Sequence, residues 1–262
     1  MIEEVVVPLE RLHEPECGKI LCYPRYDLKE LRRRVRELEN LGVQALEFNG
    51  EKRAFNMPVL GKGHVGVVVS ASMGGQKVAL KIRRVDANRS GMLHEAEMQR
   101  KANSAGVGPD LIDATDNFLV MEFVGGTTLP KWIEGLKERV ESRIRHVLLA
   151  VLEQCWRLDK MNLDHGELSR APKHIIIGES DKPCLVDFET ASSDRRASNV
   201  TSICQYLFMG SSVARMIADR LGEIDKGELI KTLRKYKQKH TKEEFEMVLG
   251  ACGLRKLRTV GC

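Results

Sequence analysis

The sequence predicts an α+β fold in two lobes, a small antiparallel β-rich lobe with one helix followed by a mostly helical lobe. Three observations carry this reading. Between residues 58 and 124 the β-rich runs VLGKGHVGVVVSAS, QKVALKIRR, DLIDAT and FLVMEFV succeed one another, with turn signals at Gly74-Gly75 and Asp116-Asn117. A single helical stretch, from about Ser90 to Ala105 and stopped by Gly106, falls among them. Beyond Gly125-Gly126 the pattern turns helical, with a long run from 131 to 158 and further helices near 200–222, 227–238 and 242–250.

Each element has a local reason. Asp27 with Glu30 forms a capping-box-like start, and Leu28, Leu31, Val35 and Leu38 then recur at helical spacing as far as Gly42, leaving an arginine-rich outer face. QALEF, Asn49-Gly50 and EKRAF read as a small hairpin. Residues 1–50 are therefore an N-terminal extension of helix plus hairpin, 51–124 the β-rich lobe and 125–262 the helical lobe. Thr241 with Glu244 repeats the capping signature late in the chain.

Composition narrows the class. In 262 residues, 42% are hydrophobic, enough for a sizeable core and against disorder throughout. The net charge of +5 permits a nucleic-acid or phosphate partner without requiring one. The seven cysteines, 17, 22, 155, 184, 204, 252 and 262, include no CxxC pair and no zinc-spaced histidines, which suits a reducing compartment. The N-terminus is acidic and interrupted by Pro8 and Pro15, and no apolar run approaches about 18 residues. A cytoplasmic protein with no membrane partner is expected.

Gly61, Gly63 and Gly66 with Val68 spell GxGxxGxV between two predicted strands, where missing Cβ atoms let backbone N–H groups approach phosphates. Three glycines in a hairpin also serve a plain turn. Lys81 adds weight, because strand alternation sets it with Ala79 on the face opposite Val78 and Leu80, and an inward ammonium needs an anion. Glu95, 14 residues on, lies in LHEAEMQRKA and is one candidate. Glu97 is the rival, about 200° away around the helix. Glu95 is preferred because it shares a side with Met92 and Ala96, whereas Glu97 lies near Arg100 and Lys101. Asp187 ends the strand-like CLV and precedes Phe188, a carboxylate suited to a magnesium ion beside phosphates.

In this order and spacing, GKGHVGVV, VALK, HEAE, HGEL and DFE resemble the protein-kinase-like fold over residues 57 to 210. HG in place of HR, the short DFETASSDRRASNV segment and the lack of an APE-type motif make the chain look like the atypical RIO kinases and the small KEOPS-complex kinase. It looks closest to an archaeal group of predicted serine/threonine kinases carrying HGELSR and DFE. The resemblance implies ATP with Mg²⁺ or Mn²⁺. It places Gly61, Lys62, Gly63, Gly66, Val68, Ala79, Lys81 and Glu95 around the nucleotide, and Glu122, Phe123 and Val124 in a link whose backbone reads adenine.

Three departures bear on activity. Glu167 stands where the family's aspartate takes the hydroxyl proton, one methylene longer, about 1.5 Å, in a step sensitive to such misplacement. Asp164 is a second candidate and otherwise a turn residue. Position 172, where the second metal-binding asparagine belongs, is proline. A two-residue insertion would give that place to His174, whose imidazole suits Mn²⁺ better than Mg²⁺, while Lys173 could meet the γ-phosphate. Glu189 replaces the glycine after Asp187-Phe188, as a further metal ligand or a partner for Arg170.

The leading expectation is an ATP-dependent atypical serine/threonine protein kinase, its protein substrate unknown and autophosphorylation included. Glu167 acts as base, Lys81 and Glu95 position phosphates, and Asp187 binds metal with His174 and Glu189. One alternative is an ATP-holding switch or scaffold in RNA or ribosome maturation, docking ribonucleoprotein through Arg32, Arg33 and Arg36. Another is a small-molecule phosphotransferase, since HG-type loops also resemble aminoglycoside and choline kinases.

Overall fold

The computed structural model describes residues 5–87, 92–137 and 140–255. The fold is mixed α and β with antiparallel sheets. Two compact units emerge, Met1–Arg100 with Pro109–Phe123 and Lys101–Gly108 with Val124–Cys262.

The first unit is built on a seven-stranded antiparallel sheet. Its elements are β1 (Val5–Pro8), a short α1 (Pro15–Gly18), α2 (Leu28–Asn40), β2 (Val43–Phe48), β3 (Lys52–Ala54), β4 (Met57–Val59), β5 (Gly61–Lys62), β6 (Gly66–Met73), β7 (Gln76–Arg83), α3 (Leu93–Ser104), β8 (Leu111–Ala114) and β9 (Phe118–Glu122). The sheet runs β1-β2-β6-β7-β9-β8, with β5 added to β6. The helix start expected at Ser90 lies outside the described residues. Gly74 and Gly75 both take positive φ, 56° and 75°, which matches the twist of the β6–β7 hairpin.

The hairpin expected across Asn49-Gly50 is not what forms. Strand β2 pairs with β1 and β6, so residues read as an extension supply two strands of the main sheet. Strand β3 pairs instead with β4 across Phe55-Asn56. Both of those residues sit at positive φ, 47° and 64°, as a two-residue hairpin turn demands, and Asn49 does not. Gly50 is a crossing point, since a Cβ there would lie 2.4 Å from the Val59 carbonyl oxygen.

The Asp27 carboxylate caps α2 by accepting from the Glu30 amide at 2.7 Å. Leu31, Val35 and Leu38 of this helix are fully buried with Phe48, Leu80 and Phe118. So is Arg34, which therefore does not belong to the arginine-rich outer face.

The second unit contains β10 (Thr127–Thr128), α4 (Leu129–Gly135), α5 (Glu141–Lys160), β11 (Ile175–Ile177), β12 (Pro183–Leu185), α6 (Asn199–Phe208), α7 (Ser212–Leu221), α8 (Lys226–Lys239) and α9 (Lys242–Ala251). The run expected from 131 to 158 is two helices. After Gly135 the Leu136 amide turns back to the Ile133 carbonyl and its backbone becomes extended. Likewise α6 and α7 part at Gly210, φ +78°, and Ser211 caps α7. Strands β10, β11 and β12 form a small antiparallel sheet. No helix among the described residues is long and apolar enough to cross a membrane.

Candidate active site

In the first unit the glycine turn is held by its own backbone. Gly61 pairs with Val68 and Lys62 with Val67, and the Gly63 amide donates to the Gly66 carbonyl at 2.9 Å. Of the three glycines only Gly66 is demanded by packing. A Cβ there would lie 3.1 and 3.2 Å from Cγ and Cε of Lys81, so its absence lets the lysine chain lie against the turn. Lys81 faces Val68 across the hairpin, while Val78, Leu80 and Ile82 enter the apolar core on the other side. Ala79, next on the lysine's face, is also buried.

The Lys81 ammonium reaches the Glu95 carboxylate at 2.8 Å, with both side chains about 5% exposed. Helix α3 delivers Glu95 because Met92 and Ala96 pack on Leu119 and turn that side inward. Glu97 is exposed. At the end of β9 the Glu122 amide donates to the Asp110 carbonyl at 2.8 Å. Val124 begins the other unit, half-buried.

The second unit gathers Glu167, His174 and Asp187. One ligand atom from each lies within 4.8 Å of the others, and this is the set capable of holding a metal ion among the described residues. The β11–β12 ladder explains the meeting: its register continues into a Val186 amide bond to the His174 carbonyl, which sets position 174 beside position 187. His174 Nε2 is 2.9 Å from Glu167 Oε2 and 3.6 Å from Asp187 Oδ2. Lys173 Nζ stands 3.5 Å from Asp187 Oδ2. The histidine is buried, whereas the two carboxylates are partly open to solvent. Asp187 takes φ +73°, a conformation costly for a non-glycine residue that clusters at functional sites, and Phe188 anchors it from the core. Glu189 is half-buried and outside the metal-capable set.

Several residues that shape this site escaped sequence reasoning. His165 is wholly buried, 4.9 Å from the Phe188 ring and 5.5 Å from the His174 ring. Its Nε2 must donate to the Val186 carbonyl at 3.2 Å. Burial first, and His174 second, push its pKa down to about 4, so the ring is neutral at pH 7. Gly166 follows at φ +88°, where a Cβ would meet Thr190 and Arg195 within 2.9 Å. An arginine, as in HR-type loops, has no room there. Asp164 is no free base: it pairs with Arg195 at 2.9 Å and bridges Ser192 through its backbone.

Beneath this loop, Asn199 at the start of α6 accepts from the His165 amide and donates to the Leu163 carbonyl. The buried Asp159 carboxylate accepts from the Asn199 and Val200 amides, the Asn199 side chain and the Tyr236 hydroxyl. The available signal was a carboxylate in the last turn of a helix, where the macrodipole disfavours it and a tertiary partner is needed.

Two carboxylate oxygens and one imidazole nitrogen fit a divalent cation that accepts mixed donors, Mn²⁺ more readily than Mg²⁺. No protein-family model matches the chain, and no curated protein matches it.

Proposed function

We propose that this protein is an ATP-dependent phosphotransferase of the atypical serine/threonine protein-kinase type. The observation that carries the reading is the buried Lys81–Glu95 pair against the glycine turn. A lysine in mid-strand loses hydration on burial and needs anionic company to stay charged there. An ammonium fixed in this way suits phosphate oxygens, and phosphoryl transfer depends chiefly on such positioning and charge stabilisation.

Asp187, with His174 and Glu167, would hold the divalent cation, which supplies charge neutralisation at the phosphates. Glu167 accepts the proton of a serine or threonine hydroxyl as its oxygen bonds to the γ-phosphorus, and ADP departs with the electrons of the broken bond. A second reading, an ATP-holding switch without transfer, has one observation in its favour. The Glu167 carboxylate is already engaged by His174 at 2.9 Å.

Turnover of γ-labelled ATP with Mg²⁺ or Mn²⁺, with generic protein acceptors and the protein itself, separates the two. Activity is expected, greater with Mn²⁺. Asp187→Ala should abolish it, and Glu167→Gln should lower it by about 100-fold or more, the scale of a lost general base. ATP binding without transfer by the unaltered protein would establish the switch. Failure to bind ATP would remove both readings.

A further inference from the structure

The phosphotransferase reading gives the outward face of α2 no role. Lys29, Arg32, Arg33, Arg36, Glu37 and Asn40 line an open recess there of 480 Å³. Their spacing of three or four residues is that of one helix face, and four of the six are cations. Little opposes them. Arg33 pairs with Glu30 at 2.7 Å. The Glu37 carboxylate is taken up by the Thr115 hydroxyl and by the backbone and side-chain amides of Asn117. Lys29, Arg32 and Arg36 are exposed and have no hydrogen-bond or ion-pair partner among the described residues. Lys29 with Arg33 and Arg32 with Arg36 are like-charge neighbours one turn apart, an arrangement that weakens a helix. Folding therefore gains nothing from it.

The opposite face is fixed. Leu31, Arg34, Val35 and Leu38 are fully buried, so the cations stand on a rigid base and binding need not order their backbone.

We propose that this face binds the phosphate backbone of single-stranded RNA. No apolar side chain lines the recess, so an acidic protein would lack the apolar centre that protein interfaces are built on. Guanidinium forks match phosphate oxygens and need no such centre. Duplex RNA fits less well, because its A-form major groove is deep and narrow and closed to side chains. Tyr26, outside the recess lining and 44% exposed one residue ahead of the Asp27 cap, offers a ring on which an unpaired base can stack. This inference is independent of any phosphotransferase activity.

Anisotropy of a labelled oligouridine of about 20 nucleotides, between about 50 and 200 mM salt, tests it on the whole chain. Arg32→Gln with Arg36→Gln should weaken binding about tenfold or more at low salt and reduce the salt slope by about 1.4, given about 0.7 per phosphate contact on a single strand. Lys29→Gln alone should reduce the slope by about half that amount. Both variants should melt at or slightly above the parent's midpoint, since these side chains are exposed and the substitutions relieve like-charge repulsion. No binding at low salt, unchanged affinity in folded variants, preference for duplex RNA, or displacement by polyglutamate at equal charge would each overturn the proposal.

Discussion

Arg34 belongs to a run with four basic residues in five positions, yet it is fully buried. Its guanidinium gives donors to Glu30 at 2.6 Å, to the Leu21 and Arg83 carbonyls and to Asn117 at 3.0 Å, so that every nitrogen and four of the five N–H groups are engaged, as a buried cation requires. The spacing held this information, since Arg34 falls three residues after Leu31 and four before Leu38, but residue type hid it. Lys81 and Glu95 were legible because strand alternation and helix phase each named a face. The pair at Glu30 also yields a pH dependence. Arg33 first, and Arg34 with it, hold the Glu30 carboxyl at about 2, against an ordinary value of 4.5. As pH falls the unfolded chain takes up this proton near 4.5 and the native state only near 2. The stabilisation is thus complete above 4.5 and is lost between those limits. Allowing for solvent screening of a partly exposed group, about 1–2 kcal/mol is at stake. Urea unfolding of Glu30→Gln beside the parent should show that deficit at pH 7 and a closing gap by pH 3. A gap that does not change with pH would refute the ionic origin.

At the scale of elements, local signals competed and tertiary pairing decided. Asn49-Gly50 is a strong hairpin signal, but β2, which ends at Phe48 just before it, pairs with β1 and β6 instead of with the segment that follows. The turn fell to Phe55-Asn56, a pair that no turn statistic favours over Asn-Gly. The break within 131–158 was marked by Gly135, and apolar periodicity on both sides masked it. The tie between α5, α6 and α8 was not legible, because it requires Asp159, Asn199 and Tyr236 to meet from distant positions. That tie also positions the loop bearing Glu167, through the Asn199 bonds to His165 and Leu163. Asp159→Asn keeps the shape but replaces one oxygen with a donor facing other donors. It should cost about 2–4 kcal/mol, as expected for a buried polar group set against its partners. The variant is expected to lose phosphotransfer even where it remains folded. A thermal melt and an activity assay at a temperature below both midpoints would separate the two effects, and an unchanged melt would show that the tie does not stabilise the fold.

At the scale of the whole molecule, each unit carries one part of the proposed chemistry, an ammonium held by a buried carboxylate in the first and a metal-capable trio in the second. The order of motifs along the chain suggested both parts, but only two of the trio, His174 and Asp187, were foreseen as ligands. Glu167 was read as a base and stands among the metal-capable groups, while Glu189 was read as a ligand and lies outside that set. Register explains the difference, since the β11–β12 ladder continues to set 174 opposite 186, next to Asp187, and says nothing about 189. Ligand-linked stability distinguishes the two parts. A ligand present at about 100 times its Kd stabilises the native state by about 2.7 kcal/mol. At about 2–4 °C per kcal/mol for a chain near this size, that is a rise of about 5–10 °C. ATP with Mn²⁺ should produce such a rise in the parent protein. Lys81→Met should remove the shift due to ATP without Mn²⁺, because in the proposed reading the lysine binds phosphate oxygens directly. Asp187→Ala should leave that shift and remove the increment added by Mn²⁺. Should Asp187→Ala keep the full Mn²⁺ increment, the trio is not the metal site, and the histidine beside it is there to hold Glu167.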